Sequence, residues 1–283
     1  MKNIVLRVLV FFIGIPFILA LILAFPEPQH LVFNVVVILV SALGALELSF
    51  FFEKKAAGYR ASVFVVPILG ASLPLVTLLH ILDVVPLDAI ILVLTALTSL
   101  ILTFQVFRSE EADFSHILSS ISANVTLIFY PGLFLAYVVR ISTLPQASFL
   151  LLIFVCSVFF NDTMAYITGM LFGKKSRRVL SISPNKSLVG FIGGFLMSPV
   201  VIVVSGLLIP DLFPGPLWRR LLFGGVLGIV TIIGDLVESA MKRSATVKDS
   251  GQVIPGRGGL LDSVDSPLFT APAFFYLYTW LFM

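Results

Sequence analysis

Long apolar stretches alternate with short polar segments along the whole chain. Each apolar stretch holds roughly 20 residues, which is the length that an α-helix needs to cross the hydrocarbon core of a bilayer. The polar separators carry residues that end helices, among them Pro26, Pro28 and Pro214-Gly215-Pro216. The pattern therefore predicts nine spans: 4–25, 31–52, 61–80, 86–106, 118–140, 147–172, 188–209, 221–242 and 266–282.

Composition then narrows the fold class. With 59% hydrophobic and 12% charged residues among 283, the chain is a membrane protein rather than a soluble domain. Backbone groups in lipid must be hydrogen-bonded internally, so the pattern predicts an all-α, polytopic integral membrane helical bundle with about nine transmembrane helices. No long linker divides the chain, which predicts one membrane-embedded unit over 1–283, with 1–117 mostly scaffold and 118–283 carrying the catalytic motifs. The single Cys156 excludes an intrachain disulfide.

The basic residues predict how these spans are oriented. With the N-terminus in the cytoplasm, fifteen of the 18 Lys and Arg residues fall on the cytoplasmic side, as the positive-inside rule requires. Arg140, Arg219 and Arg220 fall on the opposite side, and the adjacent pair is the exception to the pattern. The polar stretch after the eighth span then faces the cytoplasm, where nucleotides are found.

One polar stretch near the C-terminus interrupts the apolar pattern and combines Lys242, Arg243, Lys248, Asp249, Gly251, Gly256, Arg257, Gly258, Gly259, Asp262 and Asp265. Carboxylates hold metal ions, while cations and backbone N–H groups hold phosphate oxygens, so this mixture suits a metal-assisted phosphate site. On a helix, Asp262 and Asp265 share one face. Just upstream, Asp235, Glu238 and Lys242 also share a face. The alternative is a charged loop that only sets membrane topology.

Two further segments place polar groups beside apolar spans. Asn161 and Asp162 lie inside the sixth span, where an acid must face water, a metal ion or a hydrogen-bonding neighbour helix. Before the seventh span, Ser183 and Pro184 suit the N-cap and the first position of a helix. We expect a helix to begin there, where unpaired N–H groups and Lys186 attract phosphate. A lysine that only extends to the membrane surface is the alternative.

Together these residues resemble a known family. The motif is Ser239-x2-Lys242-Arg243-x4-Lys248-Asp249-x-Gly251-x2-Ile254-Pro255-Gly256-x-Gly258-Gly259-x2-Asp262-x2-Asp265. It closely resembles the C-terminal signature of phosphatidate cytidylyltransferases, also called CDP-diacylglycerol synthases. The segments around Asp162 and Lys186 are similar to two other conserved blocks of that family. The sequence departs from the family pattern at three positions. The family usually has His where this chain has Arg257, Arg where it has Ser263, and Glu where it has Val189.

The resemblance implies a nucleotidyltransferase of phospholipid biosynthesis that converts CTP and phosphatidic acid to CDP-diacylglycerol and pyrophosphate. It also implies a multi-pass protein of the cell membrane whose active site faces the cytoplasm. We expect Mg²⁺, with a second cation left open, because hard oxygen ligands and nucleotide phosphates select it. The expected metal ligands are Asp235, Asp262 and Asp265, and the expected catalytic residues are Lys242, Arg243, Lys248 and Asp249. The expected substrate-binding residues are Asn161, Asp162, Ser183, Asn185, Lys186, Ser239, Arg257, Gly258 and Gly259.

Two other functions fit parts of this pattern. A CTP-dependent polyprenol or phytol kinase shares the nucleotide and the multispan build, but it transfers the γ-phosphoryl group to an alcohol and needs a base. An ion-coupled transporter would use acids within the spans as an ion path. The expected partners are CTP, phosphatidic acid and membrane lipid, with a homodimer as the candidate assembly and no nucleic acid. Glu47, an isolated acid in the second span, is interpreted as interfacial or paired with a neighbouring helix.

Overall fold

The computed structural model describes residues 2–55, 59–107, 116–177, 180–184, 186–254 and 258–283, with side chains from Ile13 onward apart from that of Lys175. The α-helices in these ranges are α1 (Lys2–Ala24), α2 (Leu31–Lys55), α3 (Val65–Ile81), α4 (Asp88–Phe107), α5 (Ile117–Leu127), α6 (Phe134–Ile141), α7 (Ala147–Phe172), α8 (Leu188–Leu208), α9 (Leu217–Ser244) and α10 (Leu261–Phe282). Of the predicted site residues, Asn185 and Arg257 lie outside the described residues.

Within the described ranges, each of the nine predicted spans corresponds to a helix, with boundaries that agree to within a few residues. The fifth span contains an irregular turn, since α5 and α6 are joined by the π-helical segment Ile128–Leu133, which includes Pro131. Proline lacks an N–H group and its ring crowds the preceding turn, so a wider turn lets the helix continue. The all-α prediction is confirmed.

Six helices in the described ranges are long and apolar enough to cross a membrane, judged by length and composition. They are Leu31–Lys55, Asp88–Phe107, Ile117–Ile141, Ala147–Phe172, Leu188–Leu208 and Leu217–Ser244. Two shorter helical stretches, Ile13–Ala24 and Val65–Ile81, are also apolar. The chain is therefore a multi-pass membrane protein, as predicted. The cytoplasmic position of its N-terminus and the membrane crossings by α1, α3 and α10 stay predictions.

The chain divides into two compact units. Unit 1 comprises Met1–Thr143 and Ser244–Ser263, and unit 2 comprises Leu144–Arg243 and Val264–Met283. In unit 1, α2 and α3 pack so closely that a Cβ on Gly70 would lie 2.6 Å from the Ala45 Cβ. Near this contact, Ser41 Oγ lies 2.7 Å from the Gly70 carbonyl oxygen and 2.9 Å from that of Pro131. Ser41 thereby links α2 to α3 and to the π-helical turn.

In unit 2, the two arginines that departed from the charge pattern bind backbone carbonyl groups. The Arg220 guanidinium donates to the Phe213 carbonyl from Nε at 3.0 Å and from Nη2 at 2.7 Å. Arg219 Nη1 donates to the Leu281 carbonyl, in the last turn of α10, at 3.0 Å. Carbonyl groups at helix ends lack intrahelical partners, and a nearby cation satisfies them. The structure therefore gives this basic pair a packing role.

Candidate functional site: a charged cavity and a signature loop

Unit 2 contains a cavity of about 550 Å³ formed by α7, α9, α8 and the segment that precedes α8. Its polar lining consists of Asn161, Asp162, Ser183, Lys186, Ser187 and Asp235. Its apolar lining includes Ala165, Met170, Phe191, Ile232 and the ring of Tyr166. Tyr166 is 70% exposed and Met170 is 57% exposed. A cavity that combines charged groups with an apolar wall suits an amphipathic ligand.

Lys186 is the cation around which the charges of this cavity gather. Its ammonium group forms an ion pair with Asp235, and each of the two side chains is 30% exposed. Burial lowers the pKa of Lys186, while the carboxylates of Asp265 and Asp162 oppose that shift. Lys242 also lowers this pKa, which places a second cation within electrostatic range of the first.

A second ion pair belongs to the same group of charges. Lys242 pairs with Glu238, four residues earlier on α9. Glu238 is fully buried, and a buried carboxylate is tolerated only with such a partner. Asp265 is also buried, and its Oδ1 accepts the Ser266 N–H at 2.7 Å. The charged cluster of unit 2 thus comprises Asp162, Lys186, Asp235, Glu238, Lys242 and Asp265.

The composition of the charged cluster bears on the predicted metal ion. When all six groups are ionised, the four carboxylates and two ammonium groups leave an excess of two negative charges, which a divalent cation would balance. Hard carboxylate oxygens are the ligands that Mg²⁺ prefers. In the part of the chain that the structure describes, no three His, Cys, Asp or Glu side chains converge as a metal-ligand set. A nucleotide-bound Mg²⁺ needs only one or two carboxylates, because phosphates and waters complete its coordination, so these residues still suit it.

Asn161 ties three helices together beside the cavity. The residue is fully buried, and its Nδ2 donates to Ser198 Oγ of α8 at 2.9 Å and to the Gly228 carbonyl of α9 at 3.3 Å. A Cβ on Gly194 would lie 2.8 Å from the Asn161 Oδ1, so glycine is needed at this crossing. These contacts give Asn161 a packing role, and its contact with substrate stays a prediction.

The start of α8 corrects one prediction. The sequence predicts an N-cap at Ser183, but α8 begins at Leu188 with Ser187 as its N-cap. The Ser187 Oγ accepts the Gly190 N–H at 3.2 Å, which is the side-chain bond that defines such a cap. Ser183 instead closes a turn, in which its carbonyl accepts the Lys186 N–H at 3.1 Å. The prediction of a helix starting at Ser183 is wrong, because a second serine lies directly before the apolar run.

The first amides of α8 are also occupied. The Leu188 N–H donates to the Arg177 carbonyl at 3.1 Å, and the Val189 N–H donates to Ser176 Oγ at 3.2 Å. With Ser187 serving the next amide, these N–H groups are satisfied by the protein itself. These N–H groups are therefore not available to the phosphate that we expected at this helix end, and of the groups named there only the side chain of Lys186 can attract it.

In unit 1, the signature loop (residues 245–260) connects α9 to α10. Asp262, in the first turn of α10, organises it: its Oδ2 accepts the N–H groups of Ser250 and Gly259, each at 2.8 Å. The Asp262 N–H in turn donates to Ser250 Oγ at 3.2 Å. A carboxylate at the start of a helix is favoured by the helix dipole as well as by these bonds. Asp262 thus has a structural role, and metal binding by it stays a prediction.

Gly258 of the signature loop is explained by the tight geometry around it. Gly258 has a φ of +117°, and a Cβ there would lie 2.7 Å from the Asp262 Oδ2. Gly258 and Ile254 exchange two backbone hydrogen bonds, at 2.8 and 3.0 Å. By contrast, Lys248 and Asp249 are exposed, so their side chains are accessible to a ligand.

Glu47 of α2 also binds this loop, and the motifs do not identify it. Its side chain is buried, with Oε1 accepting the Leu260 N–H at 2.8 Å and Oε2 accepting the Leu261 N–H at 2.7 Å. The Ser250 hydroxyl donates to the same Oε2 at 2.9 Å. Of the two sequence interpretations, pairing with a neighbouring helix is correct, since Leu261 begins α10. The available signal was the isolation of an acid in an apolar span, which requires donors from elsewhere.

Comparison with known proteins identifies the family. The sequence model of the Cytidylyltransferase family matches residues 5–281, nearly the whole chain. The chain belongs to the cytidylyltransferase family. The resemblance that the three motif blocks indicate is thereby confirmed at the level of the family.

This member of the cytidylyltransferase family has similar relatives in several bacteria. The uncharacterized protein YnbB of Escherichia coli (strain K12) is 36% identical over 176 residues, which cover 62% of this chain and 58% of that protein. A phosphatidate cytidylyltransferase of Bacillus subtilis (strain 168) is 35% identical over 191 residues, or 67% of this chain and 66% of that protein. A phosphatidate cytidylyltransferase of Staphylococcus haemolyticus (strain JCSC1435) is 47% identical over 115 residues, or 41% and 43%. The chain thus spans from 43% to 66% of the length of these relatives.

In this cytidylyltransferase family member, the described site residues fall into two groups. Unit 2 holds Asn161, Asp162, Ser183, Lys186, Asp235, Ser239, Lys242, Arg243 and Asp265. Unit 1 holds Lys248, Asp249, Gly258, Gly259 and Asp262. Arg243 is exposed, with Nε 3.5 Å from the Ile182 carbonyl oxygen, and Ser239 is half-buried. The catalytic, substrate-binding and metal-binding roles of these residues stay predictions.

Proposed function

We propose that this chain is a phosphatidate cytidylyltransferase, which transfers the cytidylyl group of CTP to phosphatidic acid and releases pyrophosphate. The observation that carries the proposal is the cavity of unit 2, where Lys186 lies among apolar side chains of α7, α8 and α9. A lipid with an anionic headgroup needs this combination of a cation and an apolar wall. Relatives in Bacillus subtilis and Staphylococcus haemolyticus bear the name of the proposed enzyme.

Lys186 is the proposed anchor for the lipid phosphate. Its ion pair with Asp235 is partly exposed, so a phosphate oxygen can replace the carboxylate at little net cost. Tyr166 and Met170 are exposed on α7 and also line the cavity, so they are the proposed contacts for the acyl chains. The cavity then holds the headgroup while the chains remain in the bilayer.

The proposed reaction needs charge neutralisation and alignment more than a strong base, because the lipid phosphate is already anionic. One of its oxygens bonds to the α-phosphorus of CTP. The bond from that phosphorus to the bridging oxygen of the β-phosphate breaks, and pyrophosphate leaves with the electron pair. In unit 2, Lys242 and Arg243 at the end of α9 are the proposed cations for the charge that develops. In unit 1, the exposed Lys248 is the proposed contact for a nucleotide phosphate, with Asp249 orienting it.

Mg²⁺ is the proposed metal ion. Asp235 and Asp265 of the charged cluster are the proposed ligands, since both belong to a group of side chains with excess negative charge. Asp262 uses its Oδ2 for two loop amides, so we assign it first to holding the signature loop. When bound, Mg²⁺ supplies charge neutralisation and polarises the phosphoryl oxygens of the nucleotide.

We also propose that the protein lies in the cell membrane with its signature loop on the cytoplasmic side. Phosphatidic acid stays in the bilayer, whereas CTP arrives from water on that side. The distribution of Lys and Arg along the sequence supports this orientation.

Labelled CTP tests the proposed reaction. Purified protein in detergent–lipid micelles receives phosphatidic acid, Mg²⁺ and CTP labelled at either the α- or the γ-phosphorus. Attack at the α-phosphorus places the α-label in the lipid extract and the γ-label in pyrophosphate. Omission of phosphatidic acid should abolish the labelled lipid, and diacylglycerol should not replace it.

The γ-label provides the decisive contrast. Its appearance in the lipid, with CDP as the other product, would show phosphoryl transfer to an alcohol and favour the lipid kinase. A thermal unfolding measurement shows whether the purified protein is folded. If it is folded and neither label appears in the lipid, the transferase proposal is refuted.

A further inference from the structure

We propose that Glu47 is a positioning residue that holds the signature loop in its active conformation. The residue lies on α2, far from the motif in sequence, and it acts through Ser250, Leu260 and Leu261 rather than on a substrate. The geometric part of the proposal stands on unit 1 alone. The kinetic part, that a loosened loop weakens nucleotide binding, rests on the proposed function.

Three donors converge on the Glu47 carboxylate, and they come from both ends of the loop. Ser250 lies early in the signature loop, whereas Leu260 and Leu261 form its junction with α10. The contacts to Glu47 Oε1 and Oε2 measure 2.7 to 2.9 Å, in the range of strong hydrogen bonds to a charged acceptor. A single carboxylate therefore holds Ser250 next to the start of α10, which restricts the backbone conformations of Ser250, Leu260 and Leu261.

The loop is also shaped to receive a carboxylate. A Cβ on Gly251 would lie 2.5 Å from the Glu47 Oε1, and a Cβ on Gly259 would lie 2.5 Å from Oε2. Neither contact is sterically possible, so these two glycines leave the space that the acid occupies. Two signature glycines are thus explained by a residue that the signature does not contain.

The chemistry at this position requires an acceptor at both oxygens. An ionised carboxylate only accepts hydrogen bonds, whereas a glutamine side chain has one accepting oxygen and one donating NH₂ group. In Glu47→Gln, the NH₂ group would face a donor: the Leu260 N–H in one orientation and the Leu261 N–H in the other. Size and packing are almost unchanged by this substitution. The Glu47→Gln substitution therefore tests the role of Glu47 as a hydrogen-bond acceptor separately from the space that its side chain fills.

Glu53 supplies a matched control on the same helix. Its Oε1 accepts one backbone N–H, that of Ala61 at 2.8 Å, outside the signature loop. Glu53→Gln makes the same chemical change as Glu47→Gln on an exposed residue that lines a pocket with Lys248 and Asp249 of the loop, so it tests whether loss of any charge beside the loop loosens it. Ser250→Ala is a graded variant, because it removes one of the three donors to Glu47 and leaves the two backbone amides.

Hydrogen exchange of full-length protein in detergent micelles tests the geometric part. We expect the peptide that carries the Leu260 and Leu261 amides to exchange at least tenfold faster in Glu47→Gln than in wild type. Ser250→Ala should give a smaller change in the same direction, and Glu53→Gln should match wild type. Unchanged exchange in Glu47→Gln overturns the proposal, as does an equal increase over all helices, which would indicate general destabilisation. If Glu47→Gln does not fold, unchanged exchange in Ser250→Ala overturns it.

Steady-state kinetics test the consequence for the reaction. Per folded protein, Glu47→Gln should raise the KM for CTP about tenfold, while the KM for phosphatidic acid stays within twofold of wild type. A purely structural role would lower kcat without separating the two KM values, and that result overturns the kinetic part. If wild type transfers no cytidylyl group but the exchange result holds, the proposed function fails and the positioning role of Glu47 stands.

Discussion

The signature loop of unit 1 and the charged cluster of unit 2 use the same acidic residue types in different ways. At the loop, Glu47 of α2 and Asp262 of α10 accept hydrogen bonds from backbone amides. In the cluster, Asp235 and Glu238 pair with the ammonium groups of Lys186 and Lys242. Hydrogen bonds to backbone amides hold a segment of the chain in one conformation. In an ion pair between side chains, one charged partner can be replaced by another.

This difference separates structural from chemical carboxylates. A lysine that leaves its carboxylate for a phosphate oxygen keeps a negative partner, and the released carboxylate becomes available to a cation. A carboxylate that leaves a backbone amide exposes a buried donor, which is costly. We therefore assign preorganisation of the loop to Glu47 and Asp262, and substrate or metal exchange to Asp235, whose ion pair with Lys186 is partly exposed.

The largest expected effect is on the cluster. Asp265→Asn keeps an oxygen for the Ser266 N–H but removes a charge from the proposed Mg²⁺ site, so turnover should fall on the order of 100-fold or more. The readout is turnover per folded protein, measured together with hydrogen exchange of the signature loop, which should not change. The control is Asp211→Asn, an exposed acid elsewhere in unit 2. Wild-type turnover in Asp265→Asn would show that the cluster acid is not a chemical group.

A steric change in the loop should have the next largest effect. In Gly259→Ala, the new Cβ would overlap Ser250 Oγ and lie 2.5 Å from the Glu47 Oε2, so the loop must move. We expect turnover to fall about tenfold, because misplaced binding groups lose alignment. Gly44→Ala is the matched control: its Cβ would meet Leu261 Cδ1 at an ordinary 3.7 Å. Equal turnover in the two variants would contradict a preorganised loop.

The smallest effect is expected at the start of α8. Ser187→Ala should lower the free energy of unfolding by about 1 kcal/mol, because the Gly190 N–H loses its cap. Ser183→Ala should leave that free energy almost unchanged, since its side chain caps no helix. Equilibrium unfolding of both variants in detergent measures the difference. If Ser183→Ala lowered the free energy of unfolding more than Ser187→Ala did, Ser183 would be the N-cap, as the sequence analysis predicted.

Local patterns were sufficient for the helices. Apolar length and the positions of Pro and Gly act within each segment, so all nine predicted segments are helical with small boundary errors, and six of these helices are long and apolar enough to cross a membrane. The N-cap of α8 could not be predicted in this way, because both Ser183 and Ser187 are residues that favour an N-cap position. Ser176 and Arg177 satisfy the following amides, and their proximity arises only in the folded chain.

The site could be predicted only in part for the same reason. The motifs identify Lys186, Asp235 and Asp262 by residue type and spacing, but they do not distinguish a carboxylate bound to amides from one bound to a lysine. Glu47 lies 203 residues from Ser250, and no spacing rule connects them. The isolation of Glu47 in an apolar helix predicts only that its carboxylate needs hydrogen-bond donors. In the folded chain, three groups donate to it.

Binding of phosphatidic acid to the cavity tests the central claim most directly. Short-chain phosphatidic acid is titrated into purified wild type and into Lys186→Met/Asp235→Asn, which removes both charges of the ion pair and leaves neither one unpaired. Diacylglycerol of the same chain length serves as the ligand without phosphate. We predict saturable binding of phosphatidic acid to wild type, at least tenfold weaker binding to the double variant, and equally weak binding of diacylglycerol to both. Wild-type affinity for phosphatidic acid in a folded double variant would contradict the assignment of this cavity to the lipid phosphate.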